Sequence, residues 1–133
     1  MKVSGFQLIK HLLLSVEYEV NPGYPKGNIA LEVQGLTKIE KTSENSATVE
    51  FTLLLFNDKS IEDAPFKVKT VHRGDFVWDD SYNEVQLKNL LNLNAPAILL
   101  SYDRSIIAQL TAYSDLPALI LPLINFQPSD TQN

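Results

Sequence analysis

Cysteine is absent from this chain of 133 residues, which excludes a disulfide, a thiolate metal site and a cysteine nucleophile. This composition is typical of a protein in a reducing compartment. The two histidines, His11 and His72, stand far apart without companion ligands, so the sequence predicts no metal and no other cofactor. Asp79 and Asp80 are adjacent before a predicted helix, where carboxylates more often stabilise its positive end than form an acid–base pair. No enzyme is predicted.

Long apolar runs are also missing. None approaches the roughly 18 residues that a membrane helix needs, and the segment Met1–Gly5 lacks the charged-then-apolar order of a signal peptide. The sequence therefore predicts no membrane span and a cytoplasmic protein. Eleven basic against sixteen acidic side chains give a formal charge of -5, which argues against nonspecific binding of nucleic acid and mildly favours basic partners.

The composition that is present predicts one globular domain over residues 1–133, because 44% hydrophobic and 20% charged side chains are too apolar for a disordered chain. An apolar period of two on even positions then predicts a long first strand with one apolar face. The apolar members of that strand are Phe6, Leu8, Leu12, Leu14, Val16, Tyr18 and Val20. Asn21–Gly27, rich in proline and glycine, predicts an irregular crossing.

Three further strands are predicted after this crossing. Alternating apolar residues indicate a second strand from Ile29 to Ile39 and a third from Ala47 to Leu55. The fourth runs from about Phe66 to Trp78. Gly74, inside the fourth strand, indicates either a bulge or a close approach of another element.

Two helices are predicted after the fourth strand. Ser81 stands three residues before Glu84, the spacing of a capping box, and indicates the start of a short helix. Asn94 is expected to cap a longer helix with Pro96 in its first turn. The apolar stripe of this helix comprises Leu99, Tyr102, Ile106, Leu110 and Tyr113. Residues 116–126 are too apolar for a linker and too interrupted by proline for a helix, so they are expected to lie extended against the rest of the protein.

The long helix and the segment after it carry a specific pattern. Ala95-Pro96 open the helix, Tyr102 and Arg104 lie two positions apart, and the later apolar segment ends in Asn125-Phe126. This pattern resembles the SecB family of protein-export chaperones, which has a small residue and proline, a tyrosine and arginine, and an Asn-Phe pair at those places. Gly74-Asp75-Phe76 and the order of elements also fit, so the resemblance spans about nine tenths of the chain.

The resemblance implies an α+β fold, in which a four-stranded antiparallel sheet is followed by a short and a long helix packed on it, with an extended apolar segment at the end. It implies a homo-oligomer, either a dimer or a tetramer, that acts as an ATP-independent holdase. The partners would be unfolded polypeptides or preproteins, and SecA as the acceptor in secretion. Some SecB-like proteins serve toxin–antitoxin systems instead, and that reading stays open.

The SecB family commonly has a further helix and a flexible tail after Asn-Phe. We expect neither here, because the sequence given ends seven residues beyond Phe126. The resemblance places Glu17 and Glu19, on the polar side of the first strand, in the surface that docks SecA. Lys67 and Lys69 occupy the matching part of the fourth strand.

Strand parity and the resemblance together indicate client grooves. Leu54 and Phe56 lie on the strand face opposite Leu53, so we expect that not all apolar side chains fill one core. The predicted groove residues are Leu12, Phe56, Phe66, Phe76, Trp78, Leu119 and Leu121. The competing interpretation is that these residues are simply core.

Two functions of other classes also stay open. One is an enzyme or small-ligand binder in which Asp103 or Arg104 acts inside a pocket, although the sequence shows no partner for either in acid–base chemistry. The other is a structural oligomerisation module. Prevention of client aggregation without a nucleotide or a metal would separate the chaperone from both.

Overall fold

Four long strands build the sheet of this protein, as the alternation predicts. The computed structural model describes residues 5–25, 30–114 and 131–132. The long strands are β1 (Phe6–Val20), β2 (Val33–Ser43), β3 (Ser46–Leu55) and β4 (Phe66–Trp78). They lie in the order β1-β4-β3-β2 with antiparallel neighbours, and a short β5 (Thr131–Gln132) pairs in parallel with β2. The second strand thus begins later than predicted.

The core lies on one face of this sheet, which we call the inner face. Successive side chains of a strand point to opposite faces, so alternate residues of β3 and β4 are buried there. The buried side chains on β3 and β4 are Ala47, Val49, Phe51, Leu53, Leu55, Phe66, Val68, Thr70, His72, Phe76 and Trp78. The opposite face, which we call the outer face, carries the intervening residues.

Two helices follow β4, which confirms the predicted α+β fold class. They are α1 (Glu84–Asn89) and α2 (Ala95–Ala112), joined by a π-helical turn (Leu90–Asn94). α2 lies on the inner face against β3 and β4. Asn94 does not cap α2, because its own backbone is helical and the chain passes from the π-helical turn into α2 without a break.

The capping box of α1 lies two residues later than predicted. The side chain of Asn83 accepts a hydrogen bond from the amide of Gln86, whose side-chain oxygen accepts one from the amide of Asn83. Asparagine caps a helix as well as serine does, so Asn83 can take this role in place of Ser81. Ser81 instead donates its amide and hydroxyl to Asp79 in the preceding turn.

The buried side of α2 also differs from the predicted stripe. Its buried residues are Ala95, Pro96, Leu99, Leu100, Asp103, Ile107 and Thr111. Tyr102 and Tyr113, which the prediction placed in the stripe, are exposed. The prediction counted apolar residues alone and so rotated the stripe away from Asp103, a carboxylate that is buried because the sheet supplies its hydrogen-bond partners.

Gly74 is a point of close approach between β4 and α2, one of the two roles predicted for it. A Cβ atom here would lie 2.9 Å from Cδ2 of Leu99 on α2, 2.9 Å from Cδ1 of Leu8 and 2.8 Å from Cε2 of Phe76. The bulge interpretation is wrong, because β4 keeps a continuous register through Gly74 with both of its neighbours.

Candidate functional site

β1 is an edge strand, which in the described part of the chain pairs with β4 alone. Its register shifts twice, and Ile9 and Leu14 are the extra residues of two β-bulges. Each bulge moves the side chains that follow it to the other face. Between the bulges, Leu12 therefore lies on the outer face opposite Arg73, whereas His11 turns to the inner face. The prediction of one apolar face on even positions is wrong for this part of β1, because it assumed an unbroken period of two.

The middle of β1 is both apolar and accessible. Natural edge strands are usually short, charged or covered, because their free N–H and C=O groups attract other strands. Here five apolar side chains on 15 consecutive strand residues are between 37% and 62% exposed. They are Ile9, Leu12, Leu13, Leu14 and Val16, and we call this set the β1 apolar edge.

Four of the predicted groove residues lie in the core instead. Phe56, Phe66, Phe76 and Trp78 belong to one buried hydrophobic cluster, so their side chains are not accessible at the surface of the folded chain. The expectation that parity would keep Phe56 out of this core is wrong, whereas Leu54 lies on the other face, as expected. Of the predicted groove residues within the described part, only Leu12 is exposed, while Leu119 and Leu121 lie outside the described residues.

Phe56 shows why the parity argument failed. It follows the last residue of β3, so the alternation of that strand no longer applies to it. Its backbone has a φ of 57°, which is uncommon for a residue with a side chain, and turns the ring back into the core. There it packs edge-on against Phe66 with ring centroids 5.2 Å apart. Leu54, by contrast, lies partly exposed on the outer face.

Glu17 and Glu19 lie on the outer face, each opposite a lysine of β4. Glu17 pairs in register with Lys69 and Glu19 with Lys67, and the Nζ atom of Lys69 lies 3.9 Å from Oε2 of Glu17. These four side chains line a groove of about 590 Å³ that also includes Leu54. The candidate docking surface is therefore a mixed patch of alternating charge, which sequence reading from β1 alone does not show.

A hydrogen-bonded chain of polar side chains joins β1, β4 and α2 on the inner face. His11 Nδ1 lies 3.0 Å from His72 Nε2, and His72 Nδ1 lies 2.9 Å from Oδ1 of Asp103. The hydroxyl of Thr70 donates to Oδ2 of Asp103 at 3.4 Å. Asp103 is 0% exposed and His72 is 2% exposed, and burial raises the pKa of Asp103 against the opposing effect of its hydrogen bonds to His72 and Thr70.

Sequence reading treated His11 and His72 as unrelated because 61 residues separate them. The available signal was Asp103, a carboxylate among apolar residues of a helix, which requires a buried partner. Among the described residues, no set of three or more potential ligands is arranged to hold a metal ion. The helices described by the structure include none long and apolar enough to span a membrane.

The family model for the preprotein translocase subunit SecB matches residues 14–129. The chain belongs to the SecB family. Two curated relatives, the protein-export proteins SecB of Anaplasma marginale strains Florida and St. Maries, are each 27% identical over 108 residues. The match covers 77% of this chain and 62% of each relative, so the chain spans less than two thirds of the SecB proteins that it matches.

The fold of this SecB-family chain also matches a solved structure. A SecB-like chaperone of Mycobacterium tuberculosis, in complex with a ChAD peptide from the HigA1 antitoxin, has a TM-score of 0.66 and is 14% identical. The match covers 90% of this chain and 88% of the other. At this identity it bears on the fold alone, and it confirms the predicted SecB-like arrangement of sheet and helices.

Proposed function

We propose that this SecB-family chain is a non-enzymatic, ATP-independent holdase that works as a dimer or tetramer and binds unfolded polypeptides through exposed apolar surface. The observation that carries the proposal is the β1 apolar edge. A binder of many sequences needs broad apolar area and free strand backbone, rather than a small pocket with fixed polar groups.

The β1 apolar edge supports both parts of this proposal. An extended polypeptide can pair with the free backbone of an edge strand and pack its own apolar side chains on both sides of that strand. A second copy of the chain can do the same, since such pairing along a two-fold axis satisfies both edges at once. Burial of Ile9 and Leu14 would contribute through apolar area, at about 25 cal/mol per Å², and would depend little on salt.

A double variant at the two bulges, Ile9→Ser with Leu14→Ser, tests the role of the edge. Ile9 and Leu14 are the extra residues of the two bulges and their side chains are exposed, so the fold of the monomer should survive. We expect the double variant to suppress client aggregation at least tenfold less effectively than the wild type, to have an association constant at least tenfold lower by light scattering, or both. Val85→Ser is the matched control, because Val85 is 71% exposed but lies on α1.

The two readouts separate the occupants of the edge. If the double variant forms a smaller oligomer but each chain still binds clients normally, the edge is an assembly surface. If the oligomer keeps its mass but binds clients weakly, the edge is a client surface. The proposal fails if the folded double variant keeps both its mass and its holdase activity. It also fails if the wild type leaves the aggregation of unrelated unfolded clients unchanged.

Glu17 and Glu19 are proposed to dock a basic acceptor such as SecA. Because each lies opposite a lysine, the charge of the patch can be altered from either strand. We expect Glu17→Lys with Glu19→Lys to weaken acceptor binding about tenfold or more and to leave client binding intact. Lys67→Glu with Lys69→Glu should strengthen binding to the same acceptor. Equal affinities for all three proteins would exclude this surface.

A second candidate is a chaperone dedicated to an antitoxin. It is favoured by the solved structure of similar fold, whose bound peptide comes from an antitoxin. Such a chaperone should bind one antitoxin segment much more tightly than it binds unrelated unfolded chains. Calorimetric titration with that class of peptide and with an unrelated unfolded protein distinguishes the two candidates.

A further inference from the structure

The chain of hydrogen bonds from His11 through His72 to Asp103 is the feature that client binding leaves unexplained. It links the edge strand, the centre of the sheet and α2 through contacts of 3.0 and 2.9 Å. Its inner end, Asp103, is fully buried, whereas the residue at its outer end, His11, is exposed. Protons therefore have access to a network that reaches the core.

The position of His11 depends on the bulges of β1. With an unbroken alternation from Leu8, His11 would lie on the outer face, away from α2. The bulge at Ile9 turns its ring inward, where it stacks on Tyr102 of α2 with centroids 4.0 Å apart and planes at 20°. The apolar side chains around it are more than a third exposed, so they hold the middle of β1 on α2 only weakly. His11 thus connects the middle of β1 to α2, in addition to the backbone pairing of β1 with β4.

The number of protons decides whether this tie can form. When both rings are neutral, His72 donates from Nδ1 to Asp103 and accepts at Nε2 from His11, so each bond has one donor and one acceptor. One added proton is also compatible, because the two rings then share one positive charge beside the carboxylate. When both rings are protonated, His11 Nδ1 and His72 Nε2 both carry hydrogens and cannot bond. Two positive charges then face each other as well.

The other groups around His72 do not relieve this conflict. From α2, Tyr102 faces the two rings and Asp103 supplies one negative charge, while Arg104 follows it in the helix. From β3, Phe51 lies opposite His72 and is uncharged. On β4 itself, the hydroxyl of Thr70 donates its hydrogen bond to Asp103. The neighbouring charged residues of β1 and β4 lie on the outer face. A single carboxylate therefore faces the two imidazoles.

We propose that His11, His72 and Asp103 form a proton-controlled latch, which holds the middle of β1 on α2 and opens when both histidines are protonated. Opening frees from α2 the part of β1 that carries the β1 apolar edge and leaves it held by its pairing with β4 alone, so protonation of both rings loosens that edge. The latch acts within one chain and does not depend on a client. Its effect on assembly rests on the proposed function.

Histidine-selective NMR tests the latch directly, because the chain has two histidines and both belong to it. We expect two separate protonation steps, because a proton on one ring disfavours a second proton on the ring 3.0 Å away. Independent protonation of the two rings in one common step would overturn the proposal. In His11→Gln, which keeps a donor without a titratable ring, His72 should titrate in a single step.

Amide exchange measured on the full chain supplies the structural readout. Protection of the β1 amides that bond to β4, corrected for the intrinsic effect of pH, should fall at least tenfold between neutral pH and the pH at which the NMR titration shows both rings protonated. Protection in β3 should stay within twofold. His11→Gln and His11→Phe, the latter retaining a ring to stack on Tyr102, should abolish the acid-dependent fall in β1. An equal fall in the wild type and in either folded variant, or no fall in the wild type, overturns the latch whatever the client assays show.

Discussion

β1 and β4 are neighbouring strands and β1 is the more apolar of the two in sequence, yet β4 is the one that is buried. β4 lies between two strands and under α2, so its alternate side chains from Phe66 to Trp78 are buried. β1 has a partner on one side within the described residues, is interrupted by two bulges, and leaves Ile9, Leu13 and Leu14 exposed. Apolar residues in a strand therefore indicate that the strand can be buried, whereas its position in the sheet decides whether it is buried.

The largest expected difference between the two strands comes from truncating an apolar side chain in each. Phe76→Ala on β4 removes a fully buried ring and should lower the free energy of unfolding by about 3–5 kcal/mol. Leu14→Ala on β1 should lower it by less than about 1 kcal/mol, because that side chain is already 45% exposed. Urea denaturation of both variants measures the difference. Equal losses would mean that the edge is as closely packed as the centre.

A second prediction concerns the space between β4 and α2. Gly74→Ala should cost about 1–3 kcal/mol of unfolding free energy, since a new Cβ atom would overlap Leu8, Phe76 and Leu99. Gly23→Ala is the control, because its nearest contact would be an ordinary 3.6 Å to Asn21 Oδ1. Thermal and urea unfolding compare the two. A Gly74→Ala protein as stable as wild type would show that α2 shifts away from the sheet at little cost.

The third prediction concerns the pH dependence of stability at Asp103 on α2. Burial raises the pKa of Asp103 in the folded state, so its charged form is disfavoured there and the wild type loses stability as pH rises through that pKa. Asp103→Asn keeps an acceptor for His72 but carries no charge. The difference in unfolding free energy should therefore move in favour of the asparagine variant as pH rises from 4 to 8. Urea titrations across this range measure it, and a constant difference would contradict the assigned shift.

The smallest effect is expected at the exposed pair on the outer face. The side chains of Lys69 and Glu17 are 47% and 71% exposed and their charged atoms lie 3.9 Å apart. Glu17→Gln should change the free energy of unfolding by less than about 1 kcal/mol, and added salt should reduce the effect further. A loss as large as that of Phe76→Ala would show that the pair is structural.

Sequence reading performed well where local patterns act alone. The bounds predicted for the first, third and fourth strands agree closely with β1, β3 and β4, since alternation and turn residues mark them. The family was recognised from residues at the start of α2 and beyond it, and the match over residues 14–129 confirms it. The candidate site was harder to predict. The burial of Phe56 depends on the turn after β3 and the exposure of Leu12 on the bulges of β1, and the alternation of apolar residues does not show either feature.

The sequence by itself determined the α+β class, the succession of strands and helices along the chain, and the SecB family. These follow from periodicity and from short motifs read along the chain. Only the tertiary structure decided which apolar strand lies at the edge, that Phe66, Phe76 and Trp78 share one core, and that Glu17 and Glu19 each face a lysine. It also joined His11 to His72 and Asp103. These features depend on pairing between residues distant in sequence, which local propensity does not encode.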